Sequence, residues 1–271
     1  MKPRKRVTVL LAALLLFGAC GADNGGEVRT IDDSGGSVSI SATGSGTETG
    51  VASPTRSPSP SASPSGPTSV SAASPHGTMG AYQPLSDVSS HARAVLDVCE
   101  ISGLLPKDEP IDYPAVKAIY ENGVNSTKGD GSFRTIAGFA RSERDEAIWN
   151  DYVSYYGDPT WLDTFTMSAI DGTGAFAGEP DLIRRQGIQK GIQNQIMIAW
   201  TIHELVAALD KAADGNFDVD SGAPHNWDEG WAFYHGDAPD CGPFTTADQL
   251  GANFGTGSAV NDALALSLIH I

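Results

Sequence analysis

Side chains that can bind metal are concentrated between residues 225 and 236, where the sequence reads HNWDEGWAFYHG. Imidazole nitrogens and hard oxygens from carboxylates or phenols are ligands that suit iron. His225 and Glu229 are four residues apart, so a helix would place them on one face. The stretch predicts a metal site whose candidate ligands are His225, Asp228, Glu229, Tyr234 and His235.

The same acids also have a purely structural interpretation. Asn226 can cap a helix, and Asp228 and Glu229 would then lie near the positive N-terminal end of that helix. Spacing alone does not decide between capping and metal binding.

A second histidine–acid pair, His203 and Glu204, lies in a long periodic stretch. Glu204 falls on a stripe with Gln193 and Trp200, and a carboxylate buried there needs a partner or a metal. Both residues are candidate ligands, although a lone histidine on an apolar face is more often a hydrogen-bonded core residue. The zinc-protease pattern is absent, because Ala207 stands where the second histidine belongs.

The stretch between these two groups resembles the start of a calcium-binding loop. Oxygen-bearing side chains recur at every second position, as such loops require. However, Val219 stands where a calcium loop needs glycine, and His225 where it needs a bidentate glutamate. A polar interhelix turn is therefore the favoured interpretation, and the alternative calcium ligands are Asp214, Asn216, Asp218 and Asp220.

Helical periodicity dominates the chain after residue 85, and no convincing strand pattern accompanies it. We predict an all-α helical bundle, with Ser86 capping the first helix, Pro114 in the first turn of the second and Gly123 ending it. Gly187 and Gly191 predict a close helix–helix contact, since a helical glycine costs about 1 kcal/mol relative to alanine. The predicted helices span 86–105, 112–123, 132–140, 143–156, 158–170, 181–213, 227–235 and 246–253.

The N-terminus has the features of an export signal. Residues 2–6 are basic, and the apolar run 7–17 is shorter than the roughly 20 residues of a membrane-spanning helix. Small residues then precede Cys20, as in the lipobox of bacterial lipoproteins. We predict a signal peptide over 1–19 and lipidation of Cys20, with a plain secretory signal as the alternative.

Residues 20–80 are rich in Ser, Thr, Gly, Pro and Ala and have almost no large apolar side chains. Such a segment cannot bury enough surface to offset the entropy of ordering. We predict a disordered linker that holds a folded domain, 81–265, away from the membrane surface.

The cysteines agree with an exported protein. If Cys20 is acylated, Cys99 and Cys241 remain as an even pair in an oxidising compartment. This favours a disulfide between them over two unrelated buried thiols.

The last six residues, 266–271, read LSLIHI. They back-translate to CTG TCT CTT ATA CAC ATC, the transposon end used to prepare sequencing libraries. We expect this segment to be adapter-derived, the helical bundle to be truncated and His270 to be no ligand. A native apolar tail is the alternative.

Charge narrows the range of partners. The chain has a net charge of −16, and from Ala81 onward it has 11 basic and 28 acidic residues (11 − 28 = −17). This excess of acid disfavours binding to nucleic acid or to anionic lipid through the domain itself. We expect a metal ion as ligand, and membrane contact only through the lipid anchor.

Four stretches together resemble a known family. They are 112–123, 125–140, 187–204 and 225–236, of which Trp227-Asp228-Glu229 is the most specific part. They are similar to the Fe-assimilating, low-iron-inducible periplasmic proteins of green algae and their bacterial lipoprotein relatives, over about 87–254. A weaker likeness links the chain to imelysin-type iron-uptake lipoproteins, although His203–Glu204 does not match their His-x-x-Glu motif.

The resemblance implies a helical extracytoplasmic protein that helps to capture iron. We therefore expect an iron-binding lipoprotein that presents the metal to an uptake transporter and is not an enzyme. One alternative is a calcium-stabilised interaction module. The other is a metal-dependent hydrolase with Glu204 or Glu229 as base, for which no nucleophile is positioned.

Overall fold

The protein is described by a computed structural model that covers residues 76–269, with side chains up to Leu266. These residues belong to one unit of the chain, Ala72–Ile271. The predicted signal peptide, Cys20, residues 20–75 of the predicted linker and His270 lie outside the described residues.

Regular structure between residues 76 and 269 is helical, which confirms the predicted all-α class. No helix in this range is long and apolar enough to cross a membrane. Two isolated β-bridges, Met79–Tyr82 and Thr127–Phe133, are the extended pairings found there. The α-helices are α1 (Ser89–Ala92), α2 (Ala94–Gly103), α3 (Tyr113–Asn122), α4 (Ile136–Ala140), α5 (Ala147–Tyr156), α6 (Trp161–Asp171), α7 (Asp181–Lys190), α8 (Met197–Ala213), α9 (Ala223–Tyr234), α10 (Pro243–Phe254) and α11 (Ala259–Ile269).

The predicted ends of α3 are confirmed, because both depend on local chemistry. The Asp112 carboxylate accepts a hydrogen bond from the amide of Ala115 at 3.0 Å, and Pro114 occupies the first turn. Gly123 ends the helix at φ +64°, a conformation that favours glycine.

The predicted helix over 86–105 is wrong in its first part. The chain forms the short helix α1, turns at Arg93 and then forms α2. Ser86 caps neither helix, because its amide and hydroxyl both donate to Asp228 at 2.7 Å. A contact with a residue far along the chain has replaced the local capping interaction.

Other differences concern helix boundaries. The helix predicted over 132–140 begins only at Ile136, where Thr135 caps it by accepting the amide of Gly138 at 2.8 Å. Helix α11 was not predicted, and Asn261 joins it to α9 by accepting the Tyr234 hydroxyl at 2.5 Å. At the other end, Met79 is already buried, so the folded part begins before residue 81.

Helices α7 and α8 form one continuous rod, interrupted by a π-helical segment over Gly191–Ile196. The rod packs against α6 at the two predicted glycines. A Cβ on Gly187 would lie 2.4 Å from Phe176, and a Cβ on Gly191 would lie 2.5 Å from Thr166. The close contact predicted from these glycines is therefore confirmed.

Aromatic packing holds α8 and α9 together. Phe139 of α4 meets Trp200 of α8 and Phe233 of α9 at ring-centroid distances of 5.0 and 4.9 Å. The Trp200 indole also donates to the Phe139 carbonyl at 2.9 Å. This buried contact fixes the facing sides of α8 and α9, which carry the acidic residues described below.

The predicted disulfide is confirmed. Cys99 of α2 is bonded to Cys241, whose Cα atom lies 5.2 Å away and 142 residues later in the chain. The bond joins the start of the described structure to the segment that follows α9.

Removing this disulfide should destabilise the protein. Because the bond closes a long loop, a Cys99→Ser/Cys241→Ser chain should lose about 3–5 kcal/mol of unfolding free energy, which denaturant titration can measure. Cys20→Ser serves as the control and should leave the stability unchanged. Equal stability of the oxidised and reduced wild-type protein would contradict the prediction.

The contact at Gly187 gives a second prediction. Gly187→Ala should cost about 1–3 kcal/mol in denaturant titration, because the new methyl group must displace the Phe176 ring. Gly103→Ala, in a helix but with no atom within 4 Å of the added methyl, is the matched control and should be neutral or slightly stabilising. Equal effects of the two substitutions would rule out tight packing at Gly187.

Candidate functional site

Two acidic side chains meet between α8 and α9. Glu204 of α8 and Glu229 of α9 are hydrogen-bonded to each other, and Glu204 is only 4% exposed. The second carboxyl oxygen of Glu204, Oε2, accepts the side-chain amide of Asn226 at 2.5 Å. Two buried carboxyl groups can stay in contact when one proton is shared between them.

Two histidines converge on Glu229. The Nδ1 atom of His91 in α1 and the Nε2 atom of His225 in α9 each lie 3.2 Å from its Oε1 atom. The His225 pair follows from the four-residue spacing on α9. The His91 pair exists because α1 packs beside α9, which no sequence pattern predicts.

A polar chain behind His225 fixes the orientation of its ring. The Ser86 hydroxyl donates its proton to Asp228 Oδ2 at 2.7 Å, so it can only accept from His225 Nδ1, 2.9 Å away. The Tyr82 hydroxyl and the Leu85 amide also donate to Asp228. His225 therefore carries a proton on Nδ1, and its Nε2 atom faces Glu229.

His203 lies beside Glu204 and has its own partners. Its Nε2 atom accepts Arg144 Nε at 3.1 Å, and its Nδ1 atom lies 2.6 Å from Glu146 Oε1. The distance from His203 Nε2 to Glu204 Oε1 is 3.8 Å. His203 thus holds Arg144 in place. The lone pair of His203 Nε2 accepts this hydrogen bond, so it is not available to a metal in this arrangement.

The two carboxyl groups differ in proton affinity. Burial, together with the negative charge of Glu229, raises the pKa of Glu204 to about 8. Burial alone would also raise the pKa of Glu229, but the hydrogen bond with His225 and the electrostatic effect of His91 and His225 lower it to about 2. At neutral pH the pair consists of a protonated Glu204 and an ionised Glu229.

The three histidines of the site also differ in proton affinity. Burial lowers the pKa of His91 to about 4, so its ring is neutral at pH 7. Burial also lowers the pKa of His203. The pKa of His225 is raised, chiefly by its hydrogen bond to Glu229.

The acid pair forms part of the wall of a cleft of about 400 Å³. His91 and Trp200 also line it, so the ligand-type atoms are reachable from outside. Three basic side chains, those of Lys128, Arg134 and Arg144, line the same cleft.

The structure brings together only part of the predicted ligand set. Glu204, His225 and Glu229 meet, and His203 lies at their edge. Asp228 is fully buried against Ser86 and Tyr82 and reaches the cluster only through Ser86. The remaining two predicted ligands, Tyr234 and His235, lie away from the cluster. His235 packs on Phe244 of α10, and Tyr234 donates to Asn261 of α11.

Sequence reasoning missed three residues of this cluster. Asn226 was considered only as a cap, and Arg144 has no pattern that marks it. His91 was overlooked within a segment chosen for its apolar periodicity. The available signal for His91 was a polar side chain within a segment whose periodicity predicts burial.

The described residues contain no group of three or more His, Cys, Asp or Glu side chains already arranged as a metal centre. In the 214–222 turn, the Asp218 carboxylate accepts the Asp220 amide at 3.1 Å and the Ser221 hydroxyl at 2.8 Å. These are the bonds of a self-capped polar turn. Metal binding, by iron or by calcium, stays a prediction.

The fold and the cleft define an all-helical protein. Its acid–histidine cluster is largely buried, and the cleft connects it to solvent. A family model described as low iron-inducible periplasmic protein matches residues 62–270. The chain belongs to this family, which confirms the predicted resemblance and indicates an extracytoplasmic, iron-related role. Curated proteins and solved structures give no match. The likeness to imelysin-type proteins stays a prediction.

The raised pKa of Glu204 predicts a change of stability with pH. A carboxyl whose pKa is higher in the folded state binds its proton more tightly there. Its stabilising contribution is therefore complete below the unfolded value of 4.5 and is lost as pH rises through about 8. Between pH 5.5 and 8.5, wild type should lose at least about 1 kcal/mol relative to Glu204→Gln, measured by urea unfolding.

The control for this measurement is Glu109→Gln, which replaces an exposed glutamate. It should follow the wild-type curve throughout. If Glu204→Gln also follows that curve, Glu204 is not the proton-binding member of the pair.

Proposed function

We propose that the cleft binds iron outside the cytoplasm and holds it for delivery to an uptake system. The observation that supports this most is that Glu204, Glu229 and His91 line an accessible cleft, with His225 in contact with Glu229 behind them. Family membership adds that the protein is associated with low iron.

The donor set suits iron. Carboxylate oxygens and imidazole nitrogens together are ligands for iron and similar transition metals. Ligands about 2.1 Å from a metal and at right angles are separated by about 3.0 Å. Both histidine nitrogens lie 3.2 Å from Glu229 Oε1, so small side-chain movements would direct them at one ion.

The polar chain through Ser86 resembles the support that metal-binding histidines commonly have. Such a histidine donates its second ring N–H to an oxygen, which fixes the tautomer and raises the basicity of the ligating nitrogen. Here His225 Nδ1 donates to Ser86, and Asp228 holds the Ser86 hydroxyl. Asp228 would therefore act by positioning His225 rather than by contacting the ion.

Protons compete with the metal at this site. The pKa values of Glu204 and His225 are both raised, so these two groups hold their protons more tightly when no metal is bound. Both must lose them to act as ligands, so iron binding releases protons and weakens as pH falls. Metal and proton are alternative ways to neutralise the same buried charge.

We propose a binding role and not an enzymatic one. Ser86, the serine beside His225, is buried, and its hydroxyl donates to Asp228 and accepts from His225, so His225 is not placed to take its proton as covalent catalysis needs. Attachment through lipidated Cys20 and transfer to a transporter are parts of the same proposal. They would keep the cleft on the outer face of the membrane that iron has to cross.

Iron binding can be tested on the full chain by equilibrium dialysis with ferrous ion under anaerobic conditions. Wild type should bind one equivalent and release protons, which a pH-stat would record. Glu229→Gln should weaken binding by at least about 100-fold, because it removes the ion's central charged ligand. Binding in the variant equal to that of wild type would refute the assignment.

Asp220→Asn is the matched control, since it removes an exposed carboxylate outside the cleft. It should leave iron binding unchanged. The same substitution tests the calcium alternative, because a calcium loop at 214–222 would make the melting temperature calcium-dependent in wild type and less so in Asp220→Asn. Calcium dependence without iron binding would favour the interaction module.

A further inference from the structure

Lys211 is linked to the acid pair through a second residue, Asn226. It lies on α8 seven residues after Glu204, so two helical turns place the two side chains on one face. Asn226 of α9 lies between them and is only 8% exposed. Its Nδ2 group donates to Glu204 Oε2 at 2.5 Å, and its Oδ1 atom accepts from Lys211 Nζ at 2.5 Å. The amide of Asn226 thus joins a buried acid to a base.

Lys211 decides which way the Asn226 amide points. An asparagine amide has a donor end and an acceptor end, and its partners determine which end faces them. A lysine ammonium has three donors and no acceptor, so only Oδ1 of Asn226 can face it. The Nδ2 group must then face the other partner, which is Glu204.

The direction of this amide matters for a carboxyl group that has to ionise. A carboxylate accepts hydrogen bonds and donates none, so it is stabilised by an N–H group and repelled by a carbonyl oxygen. With Lys211 in place, Asn226 presents its N–H group to Glu204. Carboxylates that bind metals are commonly supported by such outer hydrogen bonds, which contribute to metal affinity.

The turn over 214–222 holds Lys211 in this position. Lys211 Nζ also donates to the Ser221 carbonyl at 2.7 Å. The turn is closed by its own backbone, where the Ala223 amide donates to the Asn216 carbonyl at 3.0 Å. A lysine side chain loses rotamer entropy when it is fixed, and its two hydrogen bonds help to offset that loss. The turn therefore anchors the residue that orients Asn226.

Building on the proposed function, we infer that Lys211 is a positioning residue of the iron site. It would act through Asn226, whose amide it orients so that the Glu204 carboxylate accepts a hydrogen bond when the ion is bound. Lys211 itself would not contact the ion. The 214–222 turn would support the site through its Ser221 carbonyl, a role that needs no cation in the turn.

Charge and orientation predict opposite effects of removing the Lys211 ammonium. The pKa of His225 is raised, chiefly by its hydrogen bond to Glu229, and the positive charge of Lys211 opposes that shift. The same charge would repel a cation bound beside His225, so its removal alone should tighten ferrous binding. If Lys211 acts by orienting Asn226, its removal should instead weaken binding, because the amide can then turn its oxygen toward Glu204.

The test measures the ferrous affinity of the full chain by anaerobic equilibrium dialysis, with urea unfolding to show that each variant is folded. Lys211→Met keeps the length of the side chain but removes its donors, and it should weaken binding about tenfold, the lower end of outer-shell effects. Lys211→Ala, which only shortens the side chain, should show the same loss and serves if Lys211→Met does not fold. Lys211→Arg also has donors and no acceptor, so it should keep most of the wild-type affinity.

A double-mutant cycle separates action through Asn226 from other effects of Lys211. Asn226→Ala should weaken ferrous binding by itself. In that background Lys211→Met should cause no further loss, because the amide that Lys211 orients is absent. Lys117→Met is the matched control and should leave the affinity unchanged, since Lys117 lies outside the cleft and is paired with Asp171 at 3.0 Å.

The outcomes are distinct. A loss of affinity in Lys211→Met that disappears in the Asn226→Ala background supports the inference. Equal or tighter binding in Lys211→Met, or the same loss in both backgrounds, would show that the inference is wrong while the proposed function stands. If wild type binds no ferrous ion, the proposed function fails and the inference fails with it.

Discussion

The contact between Glu204 and Glu229 is the constraint on which the rest of the site depends. Two buried carboxyl groups in contact cannot both be ionised without a large cost, so their surroundings must assign one proton. Burial and the negative charge of Glu229 raise the pKa of Glu204, so Glu204 keeps its proton although Asn226 donates to it. The hydrogen bond with His225 favours the ionised form of Glu229. Such an assignment requires α8 and α9 to be fixed relative to each other, and the packing of Phe139 on both helices provides this.

Features of the fold that depend on residues close together in the sequence could be predicted. Asp112 and Gly123 mark the ends of α3, and Gly187 marks the contact with α6, because each acts through its own backbone or its missing side chain. The predicted cap at Ser86 was wrong for the opposite reason. Its hydrogen-bond partner is Asp228, 142 residues later, and no local pattern distinguishes a serine that caps a helix from one that binds a distant carboxylate.

The candidate site shows the same division. Glu204, His225 and Glu229 could be found because helical spacing marks each of them within its own stretch of sequence, 181–213 for Glu204 and 225–236 for the other two. His91 could not, since it joins Glu229 only through the packing of α1 on α9. The three basic residues of the cleft wall were missed because net charge is a sum over the domain. A strongly acidic total gives no indication of the three basic residues that two loops bring to one cleft.

For the proposed iron site, the proton arrangement gives a way for buried carboxyl groups to be stable without a metal and still to bind one. The pKa of Glu204, about 8, is close to neutral pH, so removing its proton there costs on the order of 1 kcal/mol. A metal ion that contacts two carboxylates and two imidazoles can supply far more than this. Without a metal, carboxylates that were all ionised would repel one another. Apolar residues in place of the acid pair would avoid this repulsion but could not bind an ion. Under the proposed function a shared proton would avoid both problems, because it stabilises the fold without metal and would be displaced at low cost when the ion binds.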